Sequence, residues 1–492
     1  MKIKSHSNQV SRRSVLAGLG LSAAGVSTIT SAEAGLLPAG RQEKADVIVI
    51  GAGMTGTAAS LQAKLDGANV IALEKTPERT AGGNSRVSGG LFAVPNAETD
   101  EAKQQYLEDF IKKSEGRGNV EIYKVLAERS LESVKWMEAN GAKLLPAAPF
   151  PPFRLSVYTS APGPYVGMVN VLASLRQKYL EIGGKIAYDT KAKQLIMDAR
   201  GHVAGVRAVG PAGVVDYMAN AVVIAAGGYA ANKGLLQQYI DPNAGGMMVR
   251  GRTWATGDGQ MMAQEAGAGL INMTGLTSLH IAGVNPKEPA PGNPFHAVPY
   301  CLAVNLDGKR YVDESLGYVA NGKAIMKQPK QTGALIFDEA MKELPGVKIS
   351  AGIFERLKLP LVEATTIEEL AGKLGMPPAA LAATVKAFND KVVDGKALEA
   401  SPPKVTMAYK LEKPKFYAFF PLVPGITLSF GGIMIDTSGR VLEPDGRVIP
   451  GLFAGGEGAG GLYYDDYVGG GSLSNCLVMG RVAGSSAAKH KS

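Results

Sequence analysis

Cysteine is scarce in this chain: its 492 residues include two, Cys301 and Cys476. No C-x-x-C-H motif is present, which excludes a c-type haem attached to this chain, and no cysteine pattern indicates an iron–sulfur cluster. No spacing of His, Cys and Asp indicates a metal site, and no G-x-S-x-G motif indicates a hydrolase. The two cysteines leave a disulfide and a pair of buried thiols as equal alternatives.

Long apolar runs and clustered positive charge are also lacking. After the N-terminal region, no segment is long and apolar enough to cross a bilayer. The formal net charge is +8, but no basic stripe alternates with aromatic residues, so a nucleic-acid partner is not expected. With 46% hydrophobic and 20% charged residues, the composition is typical of a globular protein of one or two domains.

Residues 1–34 have the pattern of an export signal. Arg12 and Arg13 precede an apolar run from Val15 to about Ile29, and the A-E-A sequence at 32–34 fits a cleavage site. The stretch "SRRSVL" resembles a twin-arginine signal, which implies export of the folded protein and a bacterial periplasmic location. An uncleaved membrane anchor is the alternative. No stable membrane span is expected after the signal is removed.

A dinucleotide-binding motif follows. An apolar run that ends at Ile50 predicts a buried parallel strand, and Gly51, Gly53 and Gly56 follow it at G-x-G-x-x-G spacing before a predicted helix. The first glycine permits a tight turn, the second lets a pyrophosphate approach the backbone, and the third lets helix and strand pack closely. Glu74, at the end of the next predicted strand, can accept hydrogen bonds from ribose hydroxyls. In this context the motif predicts a bound nucleotide.

A second glycine-rich stretch favours FAD over a nicotinamide nucleotide. Residues Gly82 to Gly90 follow shortly after Glu74, the predicted ribose-binding residue. A long flavin dinucleotide needs another loop of exposed backbone at this place. The stretch contains no histidine, so we expect FAD to be bound noncovalently.

Three later stretches complete a resemblance. "AVVIAAGGYA" looks like a strand that runs into Gly227, and "TGDGQMMAQEAGAGL" looks like a capped helix start. "RVLEPDGRVIPGLFAGGEGAGG" looks like a hairpin and a glycine loop, with Glu457 placed for the ribityl or ribose part of FAD. From about residue 45 to 490, the chain resembles the FAD-dependent fumarate reductase and succinate dehydrogenase flavoprotein superfamily. That superfamily includes flavocytochrome c fumarate reductases, urocanate reductases and 3-ketosteroid Δ1-dehydrogenases.

The resemblance implies an α/β fold, with a Rossmann-type FAD-binding domain and an inserted α+β cap domain. The FAD-binding domain would comprise residues 43–274 and 426–492, and the cap would comprise residues 275–425, with substrate between cap and flavin. Besides the four residues of the first motif, the expected FAD contacts are Met54, Thr55, Lys75, Gly82, Gly83, Asn84, Ser85, Ser88, Gly89, Gly90, Ala226, Gly227, Asp258, Gly456, Glu457, Ser472 and Leu473.

Local patterns agree with that division. Residues 304–315 predict a strand, an Asp-Gly turn and a second strand in the cap. Thr366 and Glu369 predict a capping box at the start of a helix. A helix is also predicted from about Ser472 to Ala487, and its N-terminal dipole would face the flavin and stabilise negative charge on its reduced form.

The candidate active site departs from the dicarboxylate pattern of fumarate reductases. Where the resemblance places an arginine that acts as an acid, this chain has Tyr318, in "GKRYVDESLGY", and where it places a second, substrate-clamping arginine, this chain has Tyr467, in "YVGGG". Leu428 stands where that family has a histidine, whereas His280 stands where it has another. A dianionic substrate needs fixed positive charge, best supplied by bidentate arginine. We therefore expect neither fumarate nor succinate as substrate.

The stretches that contain these two tyrosines resemble the active-site pattern of the 3-ketosteroid dehydrogenases instead. That resemblance implies that Tyr467 and the Gly471 N–H group bind a ketone oxygen, while Tyr318 takes the α-proton and the flavin takes hydride from the β-carbon. A free tyrosine has a pKa of about 10, so Tyr318 needs help as a base, from His280 or from a hydroxyl such as Tyr158 or Tyr165.

The sequence therefore predicts an FAD-dependent oxidoreductase that acts on a C–C bond beside a carbonyl group of a neutral, apolar ketone. An ene-reductase acting on an α,β-unsaturated acid or ketone is a close alternative, and a flavin electron carrier is an alternative from another class. His296 is a weaker candidate for the site. Because no haem or iron–sulfur motif is present, an external electron carrier is expected as a partner.

Overall fold

A computed structural model describes residues 41–147, 156–161, 167–282 and 293–491. At residues 157 and 277–282 it describes the backbone alone. The predicted export signal and Tyr165 lie outside the described residues. Within the described part, no helix combines the length and the hydropathy that a membrane crossing requires.

Strands and α-helices occur throughout the described residues. The strands are β1 (Arg41–Lys44), β2 (Val47–Ile50), β3 (Val70–Leu73), β4 (Leu91–Val94), β5 (Leu144–Ala147), β6 (Ser156–Ser160), β7 (Lys185–Ala187), β8 (Lys191–Met197), β9 (Val203–Gly210), β10 (Gly213–Met218), β11 (Ala221–Ile224), β12 (Met248–Val249), β13 (Leu270–Ile271), β14 (Leu276–Ala282), β15 (Leu302–Asn305), β16 (Gly333–Asp338), β17 (Leu361–Ala364), β18 (Phe416–Ser429), β19 (Gly432–Ile433), β20 (Arg440–Leu442) and β21 (Val448–Ala454). The α-helices are α1 (Met54–Leu65), α2 (Asp100–Lys113), α3 (Val120–Ala139), α4 (Met168–Glu181), α5 (Lys233–Tyr239), α6 (Asp258–Glu265), α7 (Tyr318–Ile325), α8 (Glu339–Lys342), α9 (Pro345–Arg356), α10 (Ile367–Leu374), α11 (Pro378–Asn389) and α12 (Gly471–Lys489).

A six-stranded sheet in the order β20-β21-β11-β2-β3-β7 carries the first glycine motif. All of its neighbouring strands are parallel except β20 and β21. Every residue of β2 and β3 is buried, as expected for strands covered on both faces. Helix α12 packs on α1, where a Cβ on Gly480 or Gly484 would lie 2.6 or 2.3 Å from an α1 carbonyl oxygen. The predicted Rossmann-type α/β arrangement is confirmed.

A second large sheet has the order β12-β18-β16-β15, and both β14 and β17 also pair with β18. A hydrophobic cluster drawn from residues 297–422 packs around this sheet and its helices. The predicted domain boundaries stay a prediction. Strand β12 belongs to this sheet, although the predicted boundaries place residues 248–249 in the FAD-binding domain. Its parallel pairing of Val249 with Ile426 brings the next residue, Arg250, to the end of β18.

Some local predictions need correction. After β15 the chain returns through a single bridge between Val304 and Arg310 and then forms a short 3₁₀ helix, not a second strand. The predicted capped helix start in residues 256–270 forms helix α6, which begins at Asp258, but its N-cap is Gly257, which has no side chain to cap it. Thr366 accepts from the Glu369 N–H group, yet the Glu369 carboxylate bonds Thr365, so the capping box is half formed. Helix α12 is one residue longer at its start and two at its end than predicted.

Candidate active site

The glycine motif forms a tight cradle between β2 and α1. Gly51 has φ +103°, and a Cβ there would lie 2.4 Å from the Ala225 oxygen. A Cβ on Gly56 would lie 1.8 Å from the Gly51 oxygen, so this glycine is required for packing. Gly53 differs, because a Cβ there would meet no protein atom closer than 3.5 Å. Its open side therefore faces space that a ligand can fill.

A cavity of about 830 Å³, open solvent included, lies over this cradle. The residues predicted to bind FAD that line it are Gly51, Gly53, Met54, Thr55, Glu74, Lys75, Gly83, Asn84, Ser85, Ala226, Gly227, Asp258 and Glu457. Those predicted but outside its lining are Gly56, Gly82, Ser88, Gly89, Gly90, Gly456, Ser472 and Leu473, and their contacts with FAD stay a prediction.

Sequence reasoning missed one wall of the cavity, formed by residues 190–192 and Trp254. Residues 190–192 follow β7, which pairs in parallel with β3, so they reach the same edge of the sheet as Glu74. The short strand before them, in which Ile186 and Ala187 are the apolar residues, was the available signal. The Lys191 side chain pairs with Asp258, at 3.1 Å, and Lys75 pairs with the same carboxylate at 2.7 Å.

Two glutamates stand at different parts of the cavity. Glu74 Oε2 accepts from the Ala52 N–H group at 2.9 Å, which fixes the carboxylate under the glycine loop. Glu457 accepts from Asn84 Nδ2 at 3.0 Å, and burial raises the pKa of this carboxyl to about 7 against the opposing effect of that hydrogen bond. Cys476 also lines the cavity, and Cys301 lies in the cap core; both are free buried thiols.

These residues fit FAD. The start of α1 and the glycine loop present main-chain N–H groups suited to a pyrophosphate, and the open side of Gly53 leaves room for it. Ala52 and Thr76 donate three hydrogen bonds to the Glu74 carboxylate, and because a carboxylate can accept about four, roughly one remains for a ribose hydroxyl. The Asn84 and Glu457 side chains form the wall on the side toward β18, since Asn84 Nδ2 also donates to the Thr427 oxygen at 3.2 Å.

Tyr318 and Tyr467 meet, although they are far apart in the chain. The Tyr318 hydroxyl donates to the Tyr467 hydroxyl at 3.3 Å. Tyr318 is the first residue of α7, after Gly317 with φ +87°, and Tyr467 lies in the loop before α12. Phe295 packs edge-on against Tyr318 at 5.8 Å between ring centroids, and Phe430 lies 6.0 Å from the Tyr467 ring. The two phenols therefore share one partly apolar pocket.

Burial dominates the electrostatics of this pair. It raises the pKa of Tyr318 well above its usual value, and Tyr467 adds to that rise. Burial also raises the pKa of Tyr467, while the hydrogen bond from Tyr318 lowers it part of the way. The positive charge of Arg250 lowers the pKa of both phenols. At neutral pH both groups are uncharged O–H donors, and a guanidinium that motif alignment did not anticipate stands near them.

The other residues predicted for the active site, as far as the structure describes them, are not shown in contact with the two phenols. The Gly471 N–H group donates to the Val468 oxygen at 2.9 Å in the turn into α12, and the binding of a ketone oxygen by this group stays a prediction. The backbone of His280 lies in β14 opposite Pro424, and its side chain is outside the described residues. His296 packs on Phe295, and Tyr158 lies on β6, against the core around α1.

The sequence of this chain also matches a known protein family. The family described as "FAD binding domain" matches residues 46–473. The matched span runs from the start of the first glycine motif into the first turn of α12, so it contains every residue described in the cavity except Cys476.

Known proteins are similar along most of the chain. The probable fumarate reductase Ifc3 of Shewanella frigidimarina is 31% identical over 465 residues, which cover 92% of this chain and 76% of that protein. The open conformation of a flavocytochrome c3 fumarate reductase has a TM-score of 0.75 at 30% identity, covering 92% of this chain and 79% of the other. A 3-ketosteroid Δ1-dehydrogenase from Sterolibacterium denitrificans has a TM-score of 0.75 at 21% identity, covering 91% and 100%, which is a likeness of fold alone.

Proposed function

This chain belongs to the FAD-binding-domain family of flavoproteins, and we propose that it reduces a carbon–carbon double bond conjugated to a carbonyl group. Membership confirms the predicted superfamily, FAD as cofactor and an FAD-dependent oxidoreductase that acts on CH–CH groups. The observation that carries the finer proposal is the 3.3 Å hydrogen bond between the hydroxyls of Tyr318 and Tyr467. Fumarate is not the proposed substrate, because these phenols stand at positions where the resemblance places arginines.

The two phenols form a chain that binds an oxygen atom. Tyr318 donates to Tyr467, so the Tyr467 proton is available for a substrate carbonyl oxygen. Hydrogen bonds in such a chain polarise one another, which strengthens the terminal donor. A donor aimed at an oxygen that gains negative charge in the transition state contributes about 3 kcal/mol. Bound FAD supplies the two-electron step by donating a hydride to the substrate or accepting one from it.

The protonation of the tyrosines supports one direction of the proposed reaction. Reduction needs a hydride at the β-carbon and a proton at the α-carbon, whereas dehydrogenation needs a base that removes the α-proton. Because burial raises the pKa of both phenols, Tyr318 keeps its proton at neutral pH and is better suited to donate than to accept it. This feature supports the reductive direction.

Dehydrogenation of a neutral ketone is the second candidate. It is favoured by the pairing of two uncharged donors, which suits a ketone oxygen, in a pocket bordered by Phe295 and Phe430. The charge of Arg250 near the same phenols weighs against a fully neutral substrate.

Anaerobic mixing experiments test the proposal. We expect reduced holoenzyme to be reoxidised by an α,β-unsaturated carbonyl compound, and we expect Tyr318→Phe and Tyr467→Phe each to slow this step by roughly 100-fold with unchanged FAD content. The double variant should slow reoxidation little more than either single variant does, because the two hydroxyls act as a unit. Tyr300→Phe, a cap tyrosine outside the pair, is the matched control. Wild-type rates in both variants would refute the role of the pair.

Electron supply and location are part of the same proposal. An external carrier would reduce the flavin, since the sequence contains no haem or iron–sulfur motif. Arg12 and Arg13 support export by a twin-arginine route to the periplasm. Fractionation of cells that express the Arg12→Lys, Arg13→Lys double variant tests this part, and retention of wild-type export would refute it.

A further inference from the structure

Trp254 gives the nucleotide cavity an aromatic wall. Of the described residues that line this cavity, it is the one with an aromatic side chain. The residue is not packed away in the core, because it is 44% exposed. An aromatic ring that lines a concave site and keeps a free face is suited to stack on a planar group of a ligand.

Hydrogen bonds fix the position of Trp254 along the cavity. Its carbonyl oxygen accepts from the Thr256 N–H group at 2.9 Å, and the Thr256 hydroxyl lies 3.3 Å from the same oxygen. Lys75 Nζ donates to that hydroxyl at 3.0 Å. Because Lys75 directly follows Glu74, these bonds tie Trp254 to the end of the cavity that Glu74 occupies.

The segment that carries Trp254 is held on both sides. Before it, the Arg252 N–H group donates to Asn84 Oδ1 at 2.8 Å. After it, the Asp258 carboxylate pairs with Lys75 at 2.7 Å and with Lys191 at 3.1 Å. The indole therefore stands on a backbone that is anchored at each end, which lowers the entropy that a stacked ligand would cost.

The Glu74 end of the cavity is the one suited to adenosine. The glycine loop is suited to the pyrophosphate, Glu74 accepts from ribose hydroxyls, and the Asn84–Glu457 wall lies on the side toward β18, where the flavin belongs. The adenine ring follows the ribose on the side away from the flavin. The wall available to it there consists of residues 190–192 and Trp254.

We infer that the Trp254 indole stacks on the adenine ring of FAD and makes this cavity selective for FAD over FMN. Stacking of a base on an aromatic side chain strengthens binding by roughly tenfold or more, and FMN has no adenine that could use it. This inference concerns the cofactor alone. It therefore goes beyond the proposed function and does not depend on the substrate.

The affinities of the apoprotein for FAD and FMN test the inference. In fluorescence titrations, Trp254→Leu should weaken FAD binding by roughly tenfold or more and FMN binding by less than about twofold. Trp254→Phe should retain most of the FAD affinity, because it keeps an aromatic face. Both ligands are measured on one preparation, so partial loss of folded protein cancels from the ratio of the two affinities.

Tryptophan emission provides a second readout. The chain has two tryptophans, and the other, Trp136, packs on Arg481 at 4.8 Å from its ring centroid to the guanidinium carbon. The probe is ADP, which carries adenine, ribose and pyrophosphate but no flavin that would accept the emitted energy. ADP at a concentration that displaces FAD should quench the emission of Trp136→Phe, which comes from Trp254 alone. It should leave the emission of Trp254→Leu unchanged.

Trp136→Phe is also the matched control for affinity, and it should bind FAD as the wild type does. A wild-type FAD affinity in Trp254→Leu would overturn the inference. Equal weakening of FAD and FMN would overturn it as well, because the effect would then be one on the whole cavity. If Trp254→Leu does not fold, the response of Trp136→Phe to ADP decides, and an unchanged emission there refutes the stacking. None of these results bears on the proposed function, which the reoxidation of bound flavin tests separately.

Discussion

Lys323 and Asp465 form an ion pair beside the candidate site, with 2.9 Å between Nζ and Oδ1. The Lys323 ammonium also donates to the Asp465 carbonyl oxygen at 3.1 Å. Lys323 lies on α7, the helix that begins at Tyr318, and Asp465 lies two residues before Tyr467. Arg117 pairs with the other oxygen, Oδ2, of the same carboxylate. The pair therefore connects the two elements that bring the phenols together.

Breaking this pair should affect the rate more than the stability. In Asp465→Asn and Lys323→Met, the free energy of unfolding should fall by less than about 1 kcal/mol, because the groups are partly exposed. The reoxidation rate should fall roughly three- to tenfold, since the phenols lose part of their alignment. Stopped-flow kinetics and urea unfolding measure the two effects.

Two further variants control for a general loss of charge. Lys323→Arg should keep most of the rate, and Lys386→Met, which breaks the remote pair between α11 and Asp390 just after it, should leave the rate unchanged. A rate in Asp465→Asn equal to that of the wild type would show that the pair does not position the tyrosines.

Gly51 and Gly53 should respond differently to alanine. Gly53→Ala should change the unfolding free energy of the apoprotein by less than about 1 kcal/mol, because its Cβ meets only ordinary contacts. The same variant should weaken FAD binding at least about tenfold, since the added methyl group occupies the face that the pyrophosphate approaches. Fluorescence titration of apoprotein with FAD measures the affinity.

Gly51→Ala provides the contrast. Its φ of +103° and a Cβ position 2.4 Å from the Ala225 oxygen predict a loss of apoprotein stability of about 2 kcal/mol or more. Urea unfolding of both apoproteins tests this difference. Equal stability losses in the two variants would contradict the assignment of Gly53 to the cofactor and of Gly51 to the fold.

Glu457 should make apoprotein stability depend on pH. Burial raises its pKa from 4.5 to about 7, so between these values the folded protein binds more protons at this site than the unfolded chain does. The contribution of Glu457 to the free energy of unfolding is therefore fully present below pH 4.5. It is lost as pH rises to about 7, by at most about 1.4 kcal/mol per pH unit.

Glu457→Gln removes this titration. The unfolding free energies of wild type and variant are measured in urea from pH 4.5 to 8. As pH rises, the variant should become more stable relative to the wild type. A difference that stays constant across this range would mean that Glu457 keeps an ordinary pKa in the folded apoprotein.

The nucleotide-binding half of the site was largely predictable from sequence. The spacing of Gly51, Gly53 and Gly56 between an apolar strand and a helix depends on local backbone sterics, which the residues themselves carry. The same is true of Glu74, because the end of a parallel strand is marked by the end of its apolar run. Errors occurred where one side chain decides local geometry, as at the start of α6, where a capped helix was predicted and the N-cap is Gly257.

The substrate half was predicted only in part. Motif alignment identified Tyr318 and Tyr467, but it could not show that their hydroxyls lie 3.3 Å apart, since 149 positions of chain separate them. It also assigned an oxygen-binding role to the Gly471 N–H group, which donates within the turn into α12, and that role stays a prediction. Nothing in the residues around Arg250 indicated that it belongs to the cap sheet, because β12 is two residues long.

The amino-acid sequence by itself determined the cofactor, the strand–turn–helix that cradles it and the replacement of arginine by tyrosine at two motif positions. These features depend on residues close together in the chain, where backbone conformation and apolar periodicity act directly. Only the tertiary structure decided that a cation stands beside those tyrosines. The pairing of β12 with β18 joins segments about 180 residues apart, and such a contact follows from the packing of the whole molecule.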